Sequence, residues 1–348
     1  MSKFRENRIA LIEAFDENVI DEEEFLLLYD VNTSNCLDLP YWQYQHFDLD
    51  QLSDDECQAE FRFLKNDIYT LMDTMNVPDE FTCYNGFKVD GLKSLCVLLK
   101  RFAYPCRYLD MIPRFAMAVP QLSMVTNKMM NFVYNTWGHL LTSFNQQWLS
   151  PGSLERFCRA IHDKGAPLQN CFGFVDGTVR RVCRPGRHQR ILYNGHKKVH
   201  AIKFQSIATP NGLVANLYGP VEGKRHDSMM LAMSGLLPSL TQHAIDRNGN
   251  PLCIYGDPAY PHRPQLQTAF KGANVTPIQN QWNHAMNKTR TSVEWVFGDI
   301  INYFKFLDFH KNLKIQLSAV GKMYIVCALL QNVRSSFYGS TTSIYFDC

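Results

Sequence analysis

The sequence has little net charge of either sign: 35 Lys and Arg residues against 33 Asp and Glu residues leave a formal charge of +2 at pH 7. Such a chain is no general polyanion-binding protein, so any surface for nucleic acid must be local. Long apolar runs are also missing. The run over residues 323–330 is too short to cross a bilayer, and the charged first residues contain no signal-peptide core. We therefore expect a soluble, intracellular protein without a membrane segment.

The eleven cysteines are scattered, odd in number and include no Cys-x-x-Cys pair. This pattern indicates neither a disulfide framework nor a structural zinc site, so we expect mostly buried thiols in a reducing compartment. A hydrophobic content of 46% is ample for a packed core, and 348 residues allow two modest domains or one enlarged domain. Nothing in the chain requires an organic cofactor.

Three carboxylates occupy positions that favour a metal site. The apolar residues 172–175 lead into Asp176, a second apolar run over 252–255 precedes Asp257, and Glu294 lies in a helix-like stretch. Ionised carboxylates brought together beside buried strands repel each other unless a cation compensates them. Hard oxygen ligands suit Mg²⁺ or Mn²⁺, and two such ions about 3.5–4 Å apart can stabilise both oxygens of a phosphoryl displacement. Alternatively, each Asp is a turn former and Glu294 pairs with Arg290.

The order of elements favours one fold. Strands are predicted over residues 172–176, 199–208 and 213–219, the last two joined as a hairpin through Pro210-Asn211-Gly212. A helix follows from about His226, then a strand over 252–257, a helix over 264–270, a strand over 275–278 and a long helix over 282–306. The predicted fold class is α/β: a ribonuclease-H-like mixed sheet flanked by helices, preceded by an all-helical N-terminal region.

The long helix carries one polar face. Its members are spaced by four, three, four and four residues: Asn283, Asn287, Arg290, Glu294 and Gly298. The opposite, apolar face would pack against the sheet. A polar stripe is also typical of plain solvated surface, so the spacing identifies a face and leaves its chemistry open.

Basic residues cluster between the first two strands of the sheet: Arg180, Arg181, Arg184, Arg187, Arg190, Lys197 and Lys198. Such a segment would contact DNA phosphates, or it is a solvated loop. Our candidates for phosphate contacts are Arg187, Lys197, Lys198, His226 and Arg290, with Lys197 and Arg290 stabilising charge at the scissile phosphate. Asp227 is an N-cap that accepts backbone N–H bonds, an accessory metal ligand, or a residue that orients His226 toward phosphate.

The first 170 residues need a separate interpretation. Residues 1–55 are predicted to be an acidic, irregular segment whose aromatic cluster at 41–47 docks on another surface. Residues 56–170 are predicted to be helical, with helices over 61–75, 91–103, 108–115 and 120–137. The last three have the spacing of a helix-turn-helix, whose final helix would present polar side chains for base readout: Gln121, Ser123, Thr126, Asn127 and Lys128. A purely structural role is the alternative.

Several motifs appear in a fixed order along the second half: Val175-Asp176-Gly177-Thr178, Tyr193-Asn194-Gly195-His196-Lys197, His226-Asp227, Gly256-Asp257-Pro258-Ala259-Tyr260, Val293-Glu294 and Leu329-Leu330-Gln331-Asn332. In these motifs residues 172–333 resemble the DDE endonuclease domain of PIF/Harbinger transposases and Harbinger-derived nucleases. One departure is Gln331, where the family commonly has His. The corresponding domain is predicted over 171–335, with a C-terminal tail over 336–348.

The resemblance implies a ribonuclease-H-like core with Asp176, Asp257 and Glu294 as catalytic and metal-binding triad. It implies DNA as substrate, two Mg²⁺ (or Mn²⁺) ions bridged by Asp176, a separately encoded Myb-like DNA-binding partner and a nuclear location. Two alternatives stay open. The protein could be a domesticated descendant that binds DNA or protein without cutting, or an RNA-directed ribonuclease of the same fold.

Overall fold

The structure, a computed structural model, describes residues 3–32, 39–272 and 274–348. Two helices come first, α1 (Lys3–Asp16) and α2 (Glu22–Val31). Helix α2 begins at a capping box, in which Asp21 Oδ1 accepts a hydrogen bond from the Glu24 amide at 2.8 Å. The prediction of an irregular segment is therefore wrong for residues 3–32, where part of the acidic run caps a helix. Residues 1, 2 and 33–38 of that prediction lie outside the described residues.

The region predicted to be helical contains six helices and a small hairpin among its described residues: α3 (Asp54–Phe61), α4 (Lys65–Thr74), β1 (Glu80–Thr82), β2 (Lys88–Asp90), α5 (Gly91–Ala103), α6 (Tyr108–Phe115), α7 (Val119–Trp137) and α8 (Pro151–Asp163). Helices α5 and α6 have the predicted bounds. The helix predicted over 61–75 is confirmed over 65–74 as α4, and only its predicted start is wrong, because Arg62 adopts a left-handed conformation (φ 71°) that ends α3. From the aromatic cluster, Phe47 packs within the same chain against Phe61 and Phe115.

A six-stranded mixed sheet forms the second half of the chain. Its elements are β3 (Cys171–Arg181), α9 (Gln189–Leu192), β4 (Tyr193–Asn194), β5 (Val199–Ala208), β6 (Val214–Glu222), α10 (Asp227–Met233), α11 (Leu236–His243), β7 (Cys253–Gly256) and β8 (Leu266–Thr268). The strand order is β4-β5-β3-β7-β8, with β6 also paired to β5. Strands β3, β5 and β6 are antiparallel, whereas β3, β7 and β8 are parallel. The predicted hairpin is confirmed, and Gly212 supplies the positive φ of 77° in its turn.

Four helices complete the fold: α12 (Pro277–Arg290), α13 (Ser292–Tyr303), α14 (Val320–Tyr338) and α15 (Thr341–Phe346). Strand β3 is buried on both faces because its side chains pack into two apolar clusters, and a register shift between Cys171 and Gly173 interrupts their simple alternation. Phe172 and Val175 face the cluster that contains residues of α8, α10 and α11. Phe174 faces the larger cluster, to which α5, α7, α13 and α14 contribute. The sheet is therefore covered by helices on both sides.

Three sequence predictions in this half are wrong. Residues 264–270 contain strand β8 instead of a helix, because Leu266 pairs with Ile254 of the neighbouring strand β7. Residues 275–278, predicted as a strand, start helix α12, for which Thr276 and Gln279 form a capping box. The long helix over 282–306 is two helices, α12 and α13, that meet at Thr291.

The tail predicted over 336–348 is part of the fold. It contains the end of α14 and the whole of α15, whose Phe346 is 2% exposed and stacks on Phe174 of the central strand. The fold class is as predicted: a curled mixed sheet flanked by helices, with a helical region before it, which fits a ribonuclease-H-like core. None of the described helices is long and apolar enough to span a bilayer.

Candidate active site

Asp176 lies on β3, and Asp257 directly follows the neighbouring parallel strand β7. Val175 of β3 pairs with Gly256 of β7. The next residue after each of them is an aspartate, so the two carboxylates lie at the same level of the sheet. Strand β7 ends there, whereas β3 continues to Arg181. Because side chains alternate along a strand, Asp176 points to the same face as Phe174. This face is the one that helix α12 covers. Asp257 is in the turn after β7, where its Oδ1 accepts a hydrogen bond from the Ala259 amide at 2.6 Å.

Helix α12 is joined to this sheet edge by three side chains, each from the face predicted by the sequence. Asn283 exchanges hydrogen bonds with the backbone of Phe270, and Asn287 Oδ1 accepts one from the Tyr255 hydroxyl at 3.2 Å. One helical turn further, Arg290 Nη1 donates to Asp176 Oδ2 at 3.2 Å.

The charge of Asp176 is only partly compensated. Its side chain is 22% exposed, and burial raises the pKa of its carboxyl. Arg290 and the Gly177 amide, which donates to Asp176 Oδ1 at 2.7 Å, lower that pKa, while the nearby charges of Asp257 and Asp227 raise it. The net direction is upward, so this site disfavours negative charge as it stands.

Asp227 approaches from the opposite face of the sheet. It is the first residue of α10, after His226 at the N-cap position, and Asp227 Oδ1 accepts a hydrogen bond from Lys203 Nζ at 2.6 Å. The N-cap interpretation of Asp227 is therefore wrong, since its carboxylate bonds to a lysine and His226 occupies the cap position. A Cβ at Gly177 would lie 2.5 Å from Asp227 Oδ1, so this carboxylate reaches β3 only because residue 177 has no side chain.

Glu294 is exposed in the first turn of α13. The neighbouring charges that shift the pKa of Asp176 are those of Arg290, Asp257 and Asp227. Within the described ranges, no three His, Cys, Asp or Glu side chains are close enough together to hold a metal ion. The structure thus brings two of the three predicted catalytic residues side by side, with Asp227 near them. The convergence of Glu294 with the other two stays a prediction.

Residues 175–332 match the family model described as DDE superfamily endonuclease. The match supports a DDE transposase-type nuclease. It begins one residue before Asp176 and includes Asp227, Asp257, Arg290 and Glu294. Comparison with curated proteins gives no match, and comparison with solved structures gives none. The family model is broader than the PIF/Harbinger group, so that assignment stays a prediction.

Most of the predicted phosphate contacts of this DDE segment are on the surface. Arg187, Lys197, Lys198 and His226 are exposed, whereas Arg290 is half-buried against Asp176. Arg180 differs from the rest of the basic cluster, because its guanidinium lies 4.9 Å from the centre of the Tyr324 ring and packs inside the fold. Arg180 is therefore less accessible than the exposed residues of the cluster.

Helix α7 offers little for base readout. Thr126 is 2% exposed and donates to the Leu122 carbonyl, so its inclusion among base-reading residues is wrong. Gln121 Oε1 accepts the Ala118 amide at the start of the helix. Asn127 is exposed and donates to the Ser123 carbonyl. Helix α7 also packs against α5, α6 and α14, which favours a structural role for it.

Two residues near the carboxylates were missed by the sequence interpretation. Lys203 is 6% exposed in the middle of β5, and Tyr260 is 1% exposed in the turn after β7. A lysine inside a strongly apolar strand is a signal in itself, because lysine is almost never buried without a partner. Tyr260 gave no such signal, since a tyrosine after Asp-Pro-Ala fits an ordinary turn.

Proposed function

We propose that this chain is a metal-dependent DNA endonuclease or transposase-like enzyme of the PIF/Harbinger type. The observation that carries the proposal is that Asp176 and Asp257 directly follow the paired residues Val175 and Gly256, within the segment that matches DDE superfamily endonucleases. Adjacent carboxylates at the end of a buried strand are costly unless a cation compensates them.

The residues present have the donor chemistry of a divalent cation site, since carboxylate oxygens are the donors that Mg²⁺ and Mn²⁺ prefer. Burial is the largest cause of the raised pKa of Asp176, and a cation beside this carboxylate would lower that pKa. In this proposal Asp176, Asp257 and Glu294 would hold two ions, and Asp227 would be a further ligand. When bound, the ions supply Lewis-acid stabilisation of the phosphodiester and lower the pKa of an attacking water or 3′-hydroxyl.

The protein's own residues orient the reacting groups. Arg290 holds Asp176 Oδ2 and places a guanidinium beside the carboxylates, where it can balance charge that develops on a phosphate. Asn283 and Asn287 fix α12 against the sheet edge and so fix the base of the Arg290 side chain. Positioning of this kind supplies much of the rate in phosphoryl transfer.

DNA is the substrate that we propose, with its backbone held by exposed basic residues. Arg187, Lys197 and Lys198 belong to one segment between β3 and β5 and are free of the packing that holds Arg180. Contacts with phosphates position a duplex without reading its sequence. The small net charge of the whole chain is consistent with a second, DNA-binding protein that supplies sequence specificity, as the predicted Myb-like partner would.

The alternative function is binding of DNA or protein without cleavage. Two observations favour it: Glu294 is exposed on α13, and the two carboxylates Asp176 and Asp227 are paired with Arg290 and Lys203. A site whose carboxylates are permanently neutralised by basic side chains would hold metal weakly.

A plasmid-nicking assay with Mg²⁺ or Mn²⁺ separates the two functions. We expect the parent protein to nick supercoiled DNA, Asp257→Asn and Glu294→Gln to lose this activity, and all three to bind DNA with similar affinity. The matched control is Asp308→Asn, which removes an exposed carboxylate paired only with Lys305 on the surface. If the parent protein binds DNA but nicks it with neither Mg²⁺ nor Mn²⁺, the result would support binding without cleavage.

A further inference from the structure

Tyr260 is a buried tyrosine whose hydroxyl has no hydrogen-bond partner among the described residues. Leaving a buried hydroxyl unpaired costs about 1–3 kcal/mol. Most buried polar groups in proteins are paired for this reason, and an exception calls for an explanation. Phenylalanine would fill the same space without that cost.

The ring of Tyr260 lies directly behind the carboxylates. Its amide donates to the Asp257 carbonyl at 3.0 Å, which folds the turn back toward the sheet. A Cβ at Gly256 would lie 3.1 Å from Tyr260 Cδ2 and 2.8 Å from Val175 Cγ1. The ring therefore packs against the two residues that immediately precede Asp257 and Asp176, on the face from which Asp227 approaches.

The ring of Tyr260 and the Asp227 carboxylate lie on the same side of the sheet. The ring is beside the backbone of Gly256, which pairs with Val175 of β3, and Asp227 is against Gly177, two residues further along β3. A phenol hydroxyl can donate a hydrogen bond to a carboxylate oxygen.

Lys203 determines which oxygen is available. Its ammonium donates to Asp227 Oδ1 and to the Arg225 carbonyl, and its side chain is 7% exposed. One oxygen of Asp227 is thus held from the β5 side, and the other, Oδ2, has no hydrogen-bond donor among the described residues.

We propose that Tyr260 is a positioning residue that donates a hydrogen bond to Asp227 Oδ2 when the site binds a divalent cation. Lys203 holds Oδ1 and Tyr260 holds Oδ2, so that Asp227 keeps a fixed orientation beside Asp176 and Asp257. Donors to metal-binding carboxylates typically change metal affinity by about 10–100-fold when removed. This inference rests on the proposed cation site and adds two residues to it.

The test compares Tyr260→Phe with the parent by calorimetric titration of Mn²⁺ into the protein alone. We expect the variant to bind Mn²⁺ about 10-fold more weakly. Its melting temperature without metal should be unchanged or higher, because the change removes an unpaired buried hydroxyl and no carbon atom. The control is Tyr324→Phe, which removes the hydroxyl of another buried tyrosine, packed against Phe204 and Arg180 instead of the carboxylates. That control should bind Mn²⁺ as the parent does.

Each outcome has a distinct meaning. If the parent binds Mn²⁺ and Tyr260→Phe binds it equally well, this inference is overturned and the proposed function stands. If the parent does not bind Mn²⁺, the cation site itself is overturned, and this inference with it. If Tyr260→Phe and Tyr324→Phe weaken Mn²⁺ binding equally, this inference is also overturned, because the loss of affinity would then come from a general change in packing.

Discussion

Arg290 and Asp176 form a hydrogen-bonded ion pair across 3.2 Å, although 114 positions separate them in the sequence. The pair connects α12 to the central strand β3 at the place where Asp257 also emerges. Even with this partner, the pKa of Asp176 is raised, because burial and the neighbouring carboxylates outweigh the guanidinium. The pair therefore orients Asp176 without fully compensating its charge.

Asp176→Asn should stabilise the protein at neutral pH. A carboxyl with a raised pKa in the folded state binds its proton more tightly there than in the unfolded chain. Its contribution to stability is fully present below the unfolded pKa and is lost as the pH rises through the folded pKa. At pH 7 the ionised Asp176 is thus unfavourable, and its replacement should raise the free energy of unfolding by about 0.5–2 kcal/mol.

Urea denaturation of both proteins, without metal, at pH 7 and near pH 4 measures this difference. The gain from Asp176→Asn should shrink at the lower pH, where Asp176 takes up its proton in the folded protein. A variant less stable than the parent at pH 7 would show that the bond with Arg290 outweighs the cost of burial.

Lys197→Ala and Arg187→Ala should weaken binding to all DNA duplexes alike. Both residues are exposed in the basic segment between β3 and β5. Each lost phosphate contact should reduce the slope of log affinity against log salt by about 1. Fluorescence anisotropy with two unrelated duplexes at several salt concentrations gives both quantities. Lys88→Ala, which removes a surface lysine paired with Glu80, is the control and should leave the slope unchanged. A loss restricted to one duplex would indicate base readout.

Removal of the α1–α2 pair should leave the rest of the fold intact. Helix α2 buries none of its residues, and the two helices contact each other through Phe15 and Phe25 at 4.8 Å. A chain starting at residue 39 should therefore melt within about 2 °C of the parent, since surface changes usually alter stability by less than about 0.5 kcal/mol. A large fall in melting temperature would reveal packing of these helices on the body of the protein.

The sequence predicted those elements whose pattern is set locally. Helices α5 and α6 and the hairpin around Gly212 follow from periodicity and turn chemistry, and so do the positions of Asp176 and Asp257 beside apolar strands. Strand β8 was missed because it forms through pairing of Leu266 with Ile254, a contact invisible to a local pattern. The break at Thr291 was missed for a similar reason, since the residues around it suit a continuous helix.

For the candidate site, the sequence predicted the positions of Asp176 and Asp257, but it did not predict all the side chains around them. Lys203 and Tyr260 belong to it only through the fold, which brings β5 and the turn after β7 to the same place. Asp227 was recognised at a helix start, but its bond to Lys203 depends on how far β5 lies from α10. Side-chain partners of this kind cannot be obtained from residue spacing.

Gly177→Ala is the substitution that most directly tests the placement of Asp227. A Cβ at residue 177 would lie 2.5 Å from Asp227 Oδ1 and 3.1 Å from its Cγ, closer than such atoms pack in proteins. The carboxylate must move, and with it the ion pair to the buried Lys203. Loss of a buried ion pair costs up to about 3–5 kcal/mol, and because Asp227 is 27% exposed we expect a smaller loss, of roughly 1–3 kcal/mol.

Gly298→Ala is the matched control, measured by the same urea denaturation. Its new Cβ would meet only the end of Asn302, at 4.0 Å, and residue 298 lies inside helix α13. Alanine is favoured over glycine within a helix by roughly 0.5–1 kcal/mol, so this variant should be more stable than the parent. Opposite signs for the two variants would confirm that Asp227 is held against β3. A harmless Gly177→Ala would place the Asp227 carboxylate elsewhere and remove it from the cation site.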